Sequence, residues 1–201
     1  MGIIRGGDAE YENTPLEEMA PRIEETIRQA VHDTTLNLSG KFFSAAETAI
    51  LARFEPVKTI KSLDLSDNRI GDPELKMLCE SPFLQNLEEL HLGINFISDG
   101  GVAELTKSCL KNLRVLSFND NRLTDTAIAG LVKSPNLGNI ETLILGWNQI
   151  GNETAKALGE TQALPKLKLL DLERNYITDE GIIELLKGAS FTSLEELNLS
   201  S

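Results

Sequence analysis

Residues 60–70 read Ile-Lys-Ser-Leu-Asp-Leu-Ser-Asp-Asn-Arg-Ile, and this pattern of apolar residues followed by one asparagine recurs along the 201-residue chain. The asparagine returns in steps of 27, 26, 27 and 27 residues, at Asn68, Asn95, Asn121, Asn148 and Asn175. A fixed period of roughly 20 to 50 residues is typical of repeat architectures, in which each unit buries its apolar face against the next unit. The sequence therefore predicts a stack of equivalent units.

Two partial copies extend this pattern in both directions. The copy before Asn68 keeps the apolar residues Leu36, Leu38 and Phe43 but carries Lys41 where the asparagine is expected. At the other end, the apolar positions are filled by Leu194, Leu197 and Leu199, and the chain stops before the asparagine. We therefore predict a repeat domain over residues 34–201 with about seven units, of which the last is truncated.

The apolar spacing within one unit predicts its two structural elements. The alternation Leu63-Asp64-Leu65 is typical of a strand with one buried face. Such a short strand must pair with the same segment of the next unit, about 4.8 Å away, whereas helices need about 8–10 Å of lateral room. This mismatch predicts a curved stack with a parallel sheet on the concave face and helices on the convex face.

Polar residues at fixed positions indicate how each strand turns into a helix. The amide of each asparagine can serve both N–H and C=O groups of the buried turn, so we interpret the five asparagines as a structural ladder. Four residues further on, a residue suited to a helix start recurs, and we predict helices beginning there, at Asp72, Asp99, Asp125, Asn152 and Asp179. We expect both these residues and those one position earlier to supply helix caps, the earlier column being Gly71, Ser98, Thr124, Gly151 and Thr178.

The repeated pattern resembles that of leucine-rich repeats, and its period near 27 residues with a helical second half resembles the ribonuclease-inhibitor-like subclass. The resemblance implies an α/β fold, a right-handed horseshoe-shaped solenoid with its parallel sheet on the concave face. Similar repeats occur in a GTPase-activating family that acts on a nuclear-transport GTPase and in the actin-capping tropomodulins. The resemblance is specific for the fold and says little about function.

The segment before the repeats is predicted to close the N-terminal end of the stack. Residues 1–12 lack periodicity and are expected to be mobile, and residues 13–33 are predicted to form a helical cap. Residues 14–17 (Thr-Pro-Leu-Glu) resemble a capping box with proline at the first helical position. An apolar stripe follows at helical spacing, at Leu16, Met19, Ile23, Ile27 and Val31. Pro21 is expected to break or kink this helix.

No such cap follows the last unit, which ends inside a strand. An open strand edge is expected there. Either the chain is a fragment of a longer repeat protein, which we favour, or a partner or second copy covers the edge.

Composition and motifs exclude several classes of function. The formal net charge of −12 argues against binding to a nucleic acid backbone, and the chain lacks a continuous apolar run long enough to cross a membrane. No nucleotide-binding, hydrolase or metal-site motif is present, so we predict neither an enzyme nor a cofactor nor a metal. We expect Cys79 and Cys109 to be small buried hydrophobes. Two cysteines without a disulfide framework suit a reducing compartment, which predicts a cytoplasmic protein.

The candidate binding site lies on side chains that point outward from the concave sheet. Both ends of this face are polar or acidic, but its middle carries apolar residues and the single tryptophan of the chain. Grouped apolar and aromatic residues with a polar rim are typical of binding hot spots. We therefore predict partner-binding residues at His91, Ile94, Val115, Asp120, Ile144, Trp147, Leu169 and Arg174. The alternative is that Trp147 folds back onto the sheet against Ile144 and binds nothing.

The leading functional prediction is a non-enzymatic module that binds another protein on its concave face, and the acidic excess favours a basic partner. Two alternatives stay open: a structural or self-assembling protein that forms homodimers through its C-terminal edge, and a GTPase-activating protein of the leucine-rich-repeat type. Neither a nucleic acid nor a membrane is expected as a partner.

Overall fold

The computed structural model describes residues 15–188 and 192–200. The strands of this part of the chain form one sheet whose spatial order follows the chain order. The strands are β1 (Val31–His32), β2 (Thr35–Asn37), β3 (Ser62–Asp64), β4 (Glu89–His91), β5 (Val115–Ser117), β6 (Thr142–Ile144), β7 (Leu169–Asp171) and β8 (Glu196–Asn198). All neighbours from β2 to β8 pair in parallel. Each stretch from one strand to the next is called a coil below.

A helix follows each strand from β2 to β7 and packs beside the helices of the adjoining coils. The helices are α1 (Leu16–Ala30), α2 (Ala45–Leu51), α3 (Asp72–Glu80), α4 (Asp99–Lys107), α5 (Asp125–Leu131), α6 (Asn152–Glu160) and α7 (Asp179–Lys187). Short 3₁₀ helices span Glu55–Thr59 and Pro135–Leu137. The helices α3 to α7 begin at the five residues that the sequence predicts. The structure is thus the predicted solenoid, with a parallel sheet on one side and helices on the other.

The core is a continuous set of leucine columns. The central residue of each strand pairs in register with its neighbours, which places Leu63 beside Leu90 and Leu90 beside Leu116. These side chains are fully buried from β2 to β7. Because a one-residue slip would turn each leucine to the solvent face, the buried column fixes the register of the whole sheet.

The N-terminal cap differs in part from the prediction. The helix α1 runs without interruption through Pro21, so a break is wrong, whereas a kink within a single helix stays a prediction. A proline inside a helix removes one hydrogen bond, and the burial of Met19, Ile23 and Ile27 against the first coils offsets that loss. Pro15 directly precedes the helix rather than beginning it, and residues 1–12 and Thr14 lie outside the described residues.

The end of the predicted helical cap is a strand. Val31 belongs to β1, which pairs antiparallel with β2. This pairing covers the N-terminal edge of the parallel sheet and satisfies backbone groups that a helix would leave open. The cap therefore combines a helix against the core with a strand on the sheet edge.

Candidate functional site

The asparagines connect each coil to the preceding one. The Asn148 amide Nδ2 donates to the carbonyls of Phe118 at 2.9 Å and Leu145 at 3.0 Å, and its Oδ1 accepts from the backbone N–H of Leu123 at 3.0 Å. Phe118 and Leu123 lie in the preceding coil, so one side chain serves two coils. The side chains of Asn68, Asn95, Asn121 and Asn175 make equivalent bonds. The side-chain amides of these asparagines therefore form hydrogen bonds within the repeat scaffold, and we assign them a structural role.

Three acidic residues at the helix starts, Asp72, Asp99 and Asp125, bind the following coil instead of capping their own helices, so that part of the expectation is wrong. The expected caps one position earlier are confirmed at Ser98 and Thr124. Asp125 accepts from the backbone N–H of Gly151 at 2.8 Å, the backbone N–H of Thr154 at 3.1 Å and the Thr154 hydroxyl at 2.6 Å. Asp72 likewise binds Ser98, and Asp99 binds Thr124. Each carboxylate therefore stabilises the beginning of the next helix, where negative charge is favourable.

The residues directly before the asparagines share an unusual backbone. We call this set the pre-asparagine column, and its members are Asp67 (φ 54°), Ile94 (φ 55°), Asp120 (φ 53°), Trp147 (φ 59°) and Arg174 (φ 50°). Left-handed backbone is readily adopted by aspartate but strained for a β-branched residue such as Ile94. Ile94 and Trp147 nevertheless keep about half of their surface exposed, at 48% and 51%.

Trp147 projects from the sheet and is not enclosed in the core. The guanidinium of Arg174, on the following coil, stacks over the indole with its carbon 4.7 Å from the ring centroid. Arg174 also lies near Glu173, with 3.8 Å between Nε and Oε1. This stack holds one face of the indole in a fixed position, while half of the side chain stays accessible.

The remaining predicted site residues lie on the strands beside this column. Val115 and Leu169 are separated by Thr142 in one row of paired residues, and Ile144 pairs with Asp171 in the other row. All of these apolar side chains are half-buried, and His91 is half-buried with its Nε2 3.9 Å from a carboxylate oxygen of Glu89. The structure thus places the predicted residues on neighbouring strands of one face and in the turns that follow them.

A second exposed row was missed from the sequence. The position after each asparagine carries large aromatic side chains at Phe96 and Tyr176, and the equivalent position of the first coil carries Phe42. Arg122 stacks over Phe96 at 5.0 Å and Arg69 over Phe42 at 5.9 Å. The signal was available, because aromatic residues and arginines share this position in the sequence. These side chains extend the exposed apolar surface from the strands onto the turns that follow them. We call this row of Phe42, Phe96 and Tyr176 the aromatic edge.

Paired charges lie at the other ends of the strands, directly before each strand begins. Residues of alternating sign occupy one position per coil, at Lys61, Glu88, Arg114, Glu141, Lys168 and Glu195. Glu141 contacts both Lys168 and Arg114 at 2.7 Å. Hydrogen bonds from Lys168 and then Arg114 hold the pKa of Glu141 below its usual range. Since these charges neutralise one another, these ends of the strands are less suited to a partner than the aromatic edge.

The two cysteines lie in different environments. Cys79 is buried, but Cys109 is exposed, so the prediction of a buried Cys109 is wrong. Cys109 follows α4, where its thiol points toward the carbonyl of Cys79 with 3.8 Å between Sγ and O. Burial raises the pKa of the Cys79 thiol to about 12, which keeps it protonated and unreactive.

A thiol-reactive reagent at about pH 8 should therefore modify one cysteine per folded chain. The thiolate is the reactive form, and a reagent can reach the exposed Cys109 but not the buried Cys79. Mass spectrometry of the labelled protein measures the number of adducts. Cys109→Ser should remove the adduct, and labelling of both thiols in the folded wild type would contradict this assignment.

Within residues 15–188 and 192–200, the helices are too short or too polar to cross a membrane. In the same part of the chain, no three histidine, cysteine or acidic side chains come together in a way that would hold a metal ion.

Comparison with known proteins agrees with the architecture. A family model described as "Leucine Rich repeat" matches residues 58–79, 139–159 and 163–186. The chain is a leucine-rich repeat protein. Its 26- and 27-residue steps and helical second halves make it one of the ribonuclease-inhibitor-like type.

Relatives of the repeat protein include a tubulin-specific chaperone and a tubulin-folding cofactor. It is 34% identical to tubulin-specific chaperone E of Danio rerio over 142 residues. This match covers 71% of this chain and 25% of the relative. It is 37% identical over 142 residues to tubulin-folding cofactor E of Arabidopsis thaliana, which covers 70% of this chain and 25% of the relative. Ribonuclease inhibitor of Sus scrofa is 28% identical over 142 residues, or 64% of this chain and 30% of the relative. The matched part is thus about a quarter of the length of the tubulin-specific chaperone and of the tubulin-folding cofactor.

Proposed function

We propose that this leucine-rich repeat protein is a non-enzymatic module that binds a protein partner on its concave face and the adjoining aromatic edge. The observation that supports this most directly is that half of the Trp147 side chain is exposed while Arg174 stacks on its indole ring. A large aromatic side chain with a fixed orientation and an accessible face is typical of an interface anchor.

The relatives support a protein as the partner. They are named as a tubulin-specific chaperone, a tubulin-folding cofactor and a ribonuclease inhibitor, so each name refers to an action on another protein. Repeat proteins of this family are generally binding modules rather than enzymes. Tubulin is therefore the first partner that we propose for this chain.

The charge of the molecule supports a partner surface that carries lysine or arginine side chains. The chain has 31 acidic and 19 basic residues, and carboxylates such as Asp64, Asp120 and Asp171 stand on the strands or in the turns that follow them. Complementary charge accelerates association, and the acceleration falls as salt screens it. We place this interaction in the cytosol, where both cysteines would stay reduced.

Replacing Trp147 by alanine tests the proposed surface. We expect Trp147→Ala to weaken binding of purified tubulin heterodimer by about 30-fold, because a central aromatic anchor contributes about 2 kcal/mol. Biolayer interferometry measures the dissociation constant, and urea denaturation measures the free energy of unfolding. The latter should change by less than about 1 kcal/mol, since the side chain is half exposed.

Gln162→Ala is the control for this experiment, because Gln162 is exposed in the loop after α6, away from the sheet. It should bind tubulin as the wild type does. The proposal fails if the wild-type chain does not bind tubulin, or if both variants bind equally well. Loss of folding and binding together in Trp147→Ala would make the indole a structural residue.

A further inference from the structure

Three consecutive members of the pre-asparagine column are held in the same geometry. Ile94, Asp120 and Trp147 have φ values of 55°, 53° and 59°. The backbone N–H of each donates to a carbonyl of the following coil, at 2.8, 2.9 and 2.7 Å respectively. Since neighbouring strands are about 4.8 Å apart, the three residues lie side by side, with Asp120 between an aliphatic and an aromatic neighbour.

The carboxylate of Asp120 is available to a ligand. Among the residues that the structure describes, it accepts no hydrogen bond and makes no ion pair within 4 Å. The arginine of its own coil, Arg122, is directed to the preceding coil, where it stacks over Phe96. Asp120 is exposed, so an incoming cation reaches it without first displacing a partner.

The indole of Trp147 is on the coil next to that of the Asp120 carboxylate. Arg174 stacks on one face of the indole from the following coil, and Asp120 occupies the same column position on the preceding coil. Arginine and lysine are attracted to the faces of indole rings. The stack with Arg174 shows that the surface geometry accommodates a guanidinium against this ring.

We propose that Ile94, Asp120 and Trp147 form a subsite for one arginine or lysine side chain of the partner. The charged group pairs with the Asp120 carboxylate, the open indole face stacks against it, and Ile94 contacts its aliphatic stem. This inference rests on the proposed function, because it assumes a protein as the occupant.

Charge complementarity selects this occupant over two others. An acidic side chain would meet the Asp120 carboxylate and the overall charge of −12 and be repelled. A second copy of the chain carries the same excess of negative charge, so docking the two acidic faces together is disfavoured for the same reason. A cationic side chain is attracted by both the local and the overall charge.

The single tryptophan makes the subsite directly observable, because all indole fluorescence of the chain comes from Trp147. We suggest titrating the full chain, at low salt, with a short alanine–arginine peptide and with a matched alanine–glutamate peptide. The arginine peptide should cause a saturable change in tryptophan emission, and the glutamate peptide should not. Asp120→Asn should weaken the apparent affinity for the arginine peptide about threefold to fivefold, as expected for an exposed charge pair.

Asp67→Asn is the matched control. Asp67 occupies the same column with the same backbone conformation and carries the same charge, but it is three coils from Trp147. Asparagine also adopts left-handed backbone readily, so neither substitution should disturb the fold. Asp67→Asn should leave the affinity within about twofold of the wild type.

The outcomes separate this subsite from the proposed function. An unchanged emission, an equal response to the glutamate peptide, or an equal loss in Asp67→Asn and Asp120→Asn would overturn the subsite. The tubulin experiment does not depend on any of these results. If tubulin binding is lost in Trp147→Ala but not weakened in Asp120→Asn, the proposed binding surface stands and the cationic subsite is wrong.

Discussion

Asn148→Ala is expected to lower the free energy of unfolding by about 3–5 kcal/mol. The substitution removes the acceptor of the Leu123 N–H and the two amide N–H donors that are shared among the carbonyls of Phe118, Leu145 and Gly146. The asparagine is buried, so water cannot readily replace the lost partners, and each unsatisfied buried group costs about 1–3 kcal/mol. Urea denaturation followed by circular dichroism measures the loss.

Gln149→Ala provides the comparison for Asn148→Ala. The neighbouring Gln149 is exposed, and its backbone N–H still donates to the Leu123 carbonyl after truncation of the side chain. Its effect should stay within about 0.5 kcal/mol. A similarly small loss for Asn148→Ala would show that the asparagine ladder is not needed for the turn.

Asp125→Ala is expected to destabilise the protein by about 2–4 kcal/mol. The carboxylate accepts three hydrogen bonds from the next coil, and its removal leaves the hydroxyl of Thr154 without this acceptor in a site that is 1% exposed. Hydrogen bonds to a charged group contribute about 1.5–3 kcal/mol each, although they are not fully additive. The free energy of unfolding from urea denaturation is again the measurement.

Asp179→Ala is the matched substitution for Asp125→Ala. Asp179 begins α7 as Asp125 begins α5, and it is exposed. Its loss should cost only the interaction with the helix dipole, about 0.3–1 kcal/mol. Equal effects of the two substitutions would show that Asp125 acts on its own helix and that the bonds to the following coil contribute little.

Periodicity explains why much of the fold was predictable from the sequence. Five asparagines at nearly constant spacing set the register of the strands, and the residues four positions later marked the starts of α3 to α7. The targets of the aspartates were not predictable, because Gly151 and Thr154 reach Asp125 only after two coils have packed together. Likewise, no local signal shows that packing against the first coils keeps α1 continuous through Pro21.

The candidate site was predictable in position but not in detail. Strand alternation placed Ile144 and Leu169 on the outward face, and the repeat placed Trp147 in the turn that follows. The left-handed backbone at Trp147 and the stacking of Arg174 on its indole depend on hydrogen bonds and distances between coils. Sequence spacing along one coil carries no information about these contacts.

The asparagine and aspartate ladders join each coil only to the coils beside it among the described residues, as does the packing between helices. Any folded coil can therefore act as a template on which the neighbouring coil folds, without closing a long loop first. Inserting or deleting one whole 27-residue unit would recreate every junction and alter only the length of the ribbon. The number of units therefore sets the length of the surface that is available to contact a partner.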